Sequence, residues 1–253
     1  MSSAEAHSRP LARPASWVLA FWLVLLATVP VTSFPLVQQT IGGETVSPLS
    51  LLPLVLLVAF WLVPYLWRGG GLPAEARPLI AFVALGLLSS SLALFLPIDA
   101  YKDQTALSRG VRGLATVGVG SAYYLCASLL TRGEQQFTAS VKALYIGASV
   151  MLIWATIQAW IVFAGLPQVP WRLNALHRLF SVRDLLSDRV TGLAYEPSWF
   201  GNQVVVLYLP LWVSLAGYKQ GLRPRGAVLE IGLAAWATGL LLLARSRLSI
   251  VAV

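Results

Sequence analysis

Apolar residues run along this chain in long blocks, not in the alternation of strands or the narrow stripe of a soluble helix. A block that crosses a bilayer needs about twenty mostly apolar residues. By that measure the pattern predicts spanning helices over 16–34, 48–67, 79–96, 113–131, 143–165, 198–217 and 226–244. An eighth starts at Leu248 and runs six residues to Val253. The expected fold class is therefore an all-α polytopic transmembrane bundle, with about seven complete spans plus the start of an eighth. It forms a single membrane domain over 1–253, with a tail over 1–15 and its longest segment between spans over 166–197. The first block is too long and too poorly ended for a cleaved signal peptide and reads as a signal anchor.

Composition sharpens the class. The chain is 57% hydrophobic and 11% charged, against about a quarter charged in soluble domains. It lacks the polar surface to cover itself in water. Ten Trp and fifteen Pro fit a membrane protein, since Trp anchors at interfaces and Pro is tolerated in spanning helices. Cys126 is the one cysteine, so no internal disulfide forms. A net charge of +8 in this setting points to membrane topology and anionic lipid or substrate, not to nucleic acid.

Basic residues near the early helices set an orientation. Arg9, Arg13, Arg68 and Arg77 fall on one side and the loop 35–47 has none, which predicts a cytoplasmic N-terminus. Carried along the chain, nine basic residues fall inside and nine outside. The outer nine are Lys102 and eight arginines: Arg109, Arg112, Arg172, Arg178, Arg183, Arg189, Arg245 and Arg247. Arginine stays ionised in poor solvent and holds phosphate through two hydrogen bonds, where lysine acts as a point charge. Arg109 and Arg112 stand one helical turn apart on a shared face. Some outer arginines are expected to pair with Asp99, Asp103, Asp184, Asp188 and Glu196.

Other features read as structural. "PWRLNALHRLFSVRDLL" (170–186) mixes apolar and basic positions and predicts a short helix in the outer interface. His177 within it has no HxxxH or cysteine partner, so it reads as interfacial packing and no metal site is expected. "WRGGGLPAE" (67–75) reads as a flexible connection. No P-loop and no GxSxG elbow occurs. Gln158, deep in an apolar block, is expected to bond a neighbouring helix, and Glu230 to snorkel toward the cytoplasm. With intramembrane acids so scarce, a proton-driven transporter is disfavoured.

Two stretches carry a family resemblance. "RVTGLAYEPSWFGN" (189–202) opens an apolar helix, and a later apolar run ends in "ARSRLSI" (244–250). Together they resemble the polytopic O-antigen polymerase and O-antigen ligase superfamily, over roughly residues 100–253. Arg189, Gly192, Glu196, Pro197, Ser198 and Gly201 match the first element. Ser246 and Arg247 match the second, although Leu248 stands where Gly is common. The family's larger outer loop and following helices are expected beyond these residues, and the chain alone is expected to insert without catalysing. The resemblance implies a bacterial inner-membrane protein, multi-pass, acting at the outer face on a polyprenyl-diphosphate-linked glycan in O-antigen, capsule or exopolysaccharide assembly. It implies no cofactor, no metal and no nucleic acid; membrane lipids and other glycan-assembly proteins are the expected partners. An acceptor hydroxyl attacks the anomeric carbon and the lipid diphosphate leaves. In that scheme Arg189 and Arg247 stabilise the leaving diphosphate, backed by Arg245, Arg109 and Arg112. Glu196 either takes the hydroxyl proton or orients Arg189 as a buried ion pair. Asn202 and Gln203 bond sugar hydroxyls or a neighbouring helix. A transporter or flippase for an anionic lipid-linked substrate shares part of this inventory, whereas a non-catalytic truncated membrane protein needs none of these motifs.

Overall fold

The computed structural model describes residues 15–41, 47–93, 105–165, 168–217 and 226–244. Most of these residues are helical, and none of them lies in a named strand. The helices are α1 (Ser16–Thr28), α2 (Pro35–Ile41), α3 (Leu51–Trp67), α4 (Ala76–Ala93), α5 (Ala106–Leu130), α6 (Glu134–Phe163), α7 (Trp171–His177), α8 (Pro197–Gly217) and α9 (Gly226–Ala244). Helices α3 and α8 each contain one π turn, at Val58–Leu62 and Val204–Tyr208.

The span count differs from the expected seven. Among the described residues four helices are long and apolar enough to cross a membrane: Leu107–Leu130, Glu134–Phe163, Pro197–Gly217 and Ala227–Ala244. The apolar stretches Ser16–Thr28, Leu51–Trp67 and Ala76–Leu92 fall short. At 1.5 Å per residue the 13-residue α1 reaches roughly 20 Å, against a hydrocarbon core of about 30 Å. Its apolar block runs on past Thr28, but the helix does not. Pro30 has no N–H to continue the ladder. Beyond it the backbone turns extended and pairs sideways: Leu49 N–H donates to Val31 O, Ser47 N–H to Thr32 O and Val182 N–H to Ser33 O. The expected start of an eighth span lies outside the described residues. Four long apolar helices are compatible with a membrane protein, as are the many exposed apolar side chains, among them Phe60, Phe82, Leu85 and Val213.

Two packed clusters hold the helices. One joins α6, α8 and α9 through Met151, Leu152, Phe200, Val204, Tyr208 and Leu241. The other joins α1, α3 and α5 through Val18, Trp22, Leu25, Leu57, Cys126 and Leu130. Helix α1 links them by packing closely on α6. A β-carbon on Gly147 would lie 2.5 Å from the Ala27 carbonyl oxygen, so glycine is what permits that approach. Trp22 Nε1 donates to Ser140 Oγ across the same contact (2.9 Å).

Glu230 and the glycine-rich segment after α3 both differ from the sequence expectation. Glu230 does not snorkel: it is buried, and Tyr145 Oη of α6 donates to its Oε1 at 2.8 Å. The "RGGG" segment is not merely a flexible connection. Gly69 (φ 81°) donates to Leu66 O, and Gly70 N–H donates to Tyr65 O. These two bonds form a Schellman cap that satisfies the last carbonyls of α3.

Candidate functional site

The turn between Asp188 and Pro197 is a buried plug at one end of the bundle. Val190, Thr191, Leu193 and Ala194 are buried, and the three apolar ones belong to the cluster formed by α6, α8 and α9. A buried turn must pair its backbone polar groups, and this one does so through other elements. Val190 N–H donates to Leu243 O, one of the last carbonyls of α9. Tyr195 N–H donates to Thr32 Oγ1, just past α1 (2.9 Å).

The centre of the turn is held by Gln158 of α6. Its Oε1 accepts from Thr191 N–H (2.8 Å) and Gly192 N–H (2.9 Å), and its Nε2 donates to Gly192 O (2.9 Å). The expectation that Gln158 bonds a neighbouring helix is thus corrected. A buried amide in an apolar helix must find a polar partner, and here the partner is loop backbone. Gly192 has φ 60°, and a β-carbon there would lie 2.7 Å from the Phe200 ring. Glycine therefore meets both the left-handed conformation and the close packing. Pro197 sits at the first turn of α8, where its missing N–H costs nothing.

Above this plug stands a charged rim. Arg183 Nη1 lies 3.6 Å from Glu196 Oε1, and Arg189 Nε lies 3.2 Å from Asp188 Oδ2. Arg178 makes a forked pair with Asp184, whose carboxyl is held below the usual carboxylate range chiefly by that hydrogen bond. The Arg183 guanidinium also lies over the Tyr195 ring, 5.3 Å from its centroid. The acid side chains on this rim are roughly half exposed, from 43% for Glu196 to 60% for Asp188. The expected buried ion pair between Arg189 and Glu196 does not form: each takes another partner, in solvent. Exposed single contacts such as Arg189–Asp188 and Arg183–Glu196 contribute about 0–1 kcal/mol, so these two guanidinium groups are only weakly held by their acids.

The other site residues separate. Asn202 is exposed on α8. Gln203 Nε2 donates to Val29 O (3.1 Å), capping an open carbonyl at the end of α1. Arg109 and Arg112 lie in the first turns of α5, which packs mainly on α4, with lesser contacts to α1 and α3. The structure does not bring them to the rim among the described residues. Arg245 and Arg247 lie outside the described residues.

The helix expected across 170–186 is shorter than its pattern suggested. It covers α7 alone, leaving Trp171, Leu176 and Leu179 exposed. His177 is turned inward: its Nδ1 accepts from Trp154 Nε1 (3.1 Å) and the two rings stack. Burial pushes its pKa down to about 4, so it is neutral at pH 7 with the proton on Nε2. Among the described residues no three His, Cys, Asp or Glu side chains group as a metal site. Gln158 and Thr32 are the positioning residues that sequence reasoning did not connect to the turn. Isolation of Gln158 in an apolar helix was the only available signal.

No family model, no curated protein and no solved structure matches this chain.

Proposed function

We propose that these residues form part of a bacterial inner-membrane glycan polymerase or ligase. It acts at the outer face on an oligosaccharide linked to polyprenyl diphosphate, in O-antigen, capsule or exopolysaccharide assembly. The observation that carries this reading is the Arg189–Glu196 turn. Its backbone is locked into the bundle by Gln158, while its Arg and Glu stand half exposed at the rim. A rigid base under exposed, weakly paired charged groups suits electrostatic stabilisation of a leaving group, because donors already positioned need little reorganisation as charge develops.

In this reading an acceptor hydroxyl attacks the anomeric carbon of the donor glycan. The bond from that carbon to the diphosphate oxygen breaks, and the diphosphate leaves with the electron pair. Arg189 exchanges its exposed pairing with Asp188 for the leaving diphosphate, joined by Arg247 on the strength of the family resemblance. Glu196 takes the hydroxyl proton, with Arg183 fixing its position. Asn202, exposed one turn into α8, faces the glycan. The turn then lies on the periplasmic side and the N-terminus in the cytoplasm.

The test uses the whole protein that carries these residues, reconstituted with lipid-linked donor and acceptor. Arg189→Lys keeps the charge and loses the fork. A charged hydrogen bond contributes roughly 1.5–3 kcal/mol, so transfer should fall about 10- to 100-fold with insertion unchanged. Undiminished transfer by the Lys variant would remove Arg189 from the site. An impermeant thiol reagent should label Ser187→Cys in intact cells in a Cys126→Ala background; protection of that position would place the turn on the wrong side.

A further inference from the structure

A second site lies at the opposite end of the bundle. Residues 136 and 158 of α6, which mark the two ends, are separated by roughly 33 Å of helix at 1.5 Å per residue. A cleft of about 720 Å³ opens there between the start of α1, the end of α3 and the α5–α6 junction. Among the described residues its charged lining is Arg68 and Arg132, with no acidic residue. Among the described residues neither arginine has a carboxylate within ion-pair distance. Its walls include Trp17, Phe60, Trp61 and Tyr65; Trp17 and Phe60 are also exposed on the outside of the bundle.

Local structure fixes both arginines. Arg68 occupies the C-cap position of α3, set by the Gly69–Gly70 cap. Arg132 Nε donates to Ser128 O at 3.2 Å, which leaves its terminal nitrogens available. Trp61 and Tyr65 stack into one aromatic wall. Two guanidinium groups without an ion-pair partner among the described residues favour a phosphate oxyanion. An aromatic wall that continues onto the outer surface of an apolar bundle favours a ligand with hydrocarbon chains. The volume is in the range of small-ligand pockets.

We propose that this cleft binds the headgroup of an anionic membrane phospholipid, with Arg68 and Arg132 on the phosphate and Trp17, Phe60 and Trp61 against the acyl chains. The site is independent of the glycan-transfer reading, since it shares no residue with the rim.

Native mass spectrometry of the purified chain, transferred from phosphatidylcholine into phosphatidic acid, tests this by counting retained lipids. Wild type should hold one phosphatidate that Arg68→Gln/Arg132→Gln releases at least tenfold more readily. Equal retention by the double variant would overturn the proposal. A second measurement needs no variant: phosphatidate brominated on its acyl chains should quench tryptophan fluorescence more than equally brominated phosphatidylcholine. Equal quenching by the two lipids would also overturn it. Inorganic phosphate supplies the last arm. Failure of millimolar phosphate to displace the lipid supports a lipid site, whereas full displacement would mean that a free phosphate is the ligand and would overturn the lipid assignment.

Discussion

Replacing Gln158 by Leu should open the buried turn without unfolding the bundle. The two side chains are similar in size, so the packing of α6 changes little. What changes is the pairing of three backbone groups: Thr191 N–H, Gly192 N–H and Gly192 C=O, each within 2.9 Å of the carboxamide. Thr191 is 3% exposed, so water does not take the vacated places. A buried polar group left unpaired costs about 1–3 kcal/mol. Three such groups should destabilise the closed turn by about 3 kcal/mol or more, limited by the cost of opening it to solvent. Hydrogen exchange read by mass spectrometry reports this locally. Peptides covering 189–196 should exchange on the order of 100-fold faster in the Leu variant, since about 1.4 kcal/mol is a factor of ten, while peptides from α9 should change far less. Exchange of 189–196 in Gln158→Leu within threefold of wild type would refute the clamp.

Two further outcomes follow from the same geometry. Gly147→Leu should separate α1 from α6, because even a β-carbon there meets the Ala27 carbonyl oxygen at 2.5 Å; overpacking of this kind costs about 1–3 kcal/mol, visible as a lower thermal midpoint in detergent, and an unchanged midpoint would show that the crossing is looser than described. His177 is held neutral by burial, its pKa lowered from 6.5 to about 4. The unfolded chain therefore takes up a proton between those values that the folded chain refuses. Stability should be full above pH 6.5 and fall as pH drops toward 4, by up to about 1.4 kcal/mol per unit. His177→Gln still offers Trp154 an acceptor and does not titrate, so its stability should vary less with pH; an identical slope in both proteins would assign the effect elsewhere.

The hydropathy pattern alone was enough to specify an all-helical, apolar bundle. It placed its last complete span at 226–244, where the structure has Gly226–Ala244, and the motif around Pro197 opens α8, as the proline ring allows at a first turn. Those features follow from properties each residue carries with it: transfer free energy, and the geometry of the proline ring. The span count did not follow, because hydropathy reports what a segment would gain in a bilayer and not whether its backbone ladder continues. The apolar run from Ser16 passes through Pro30 unnoticed, and the chain there turns to pair with 47–49 and 182, residues far away in sequence. The same limit governs the polar groups. Gln158 was visible as an isolated amide, but its partners lie more than thirty residues on, in a loop. Arg189 and Glu196 lie close in sequence, yet the turn between them is buried and directs each to a different partner. A side chain's chemistry is local; its partner is chosen by which surfaces the helices bring together, and that only the tertiary structure decided.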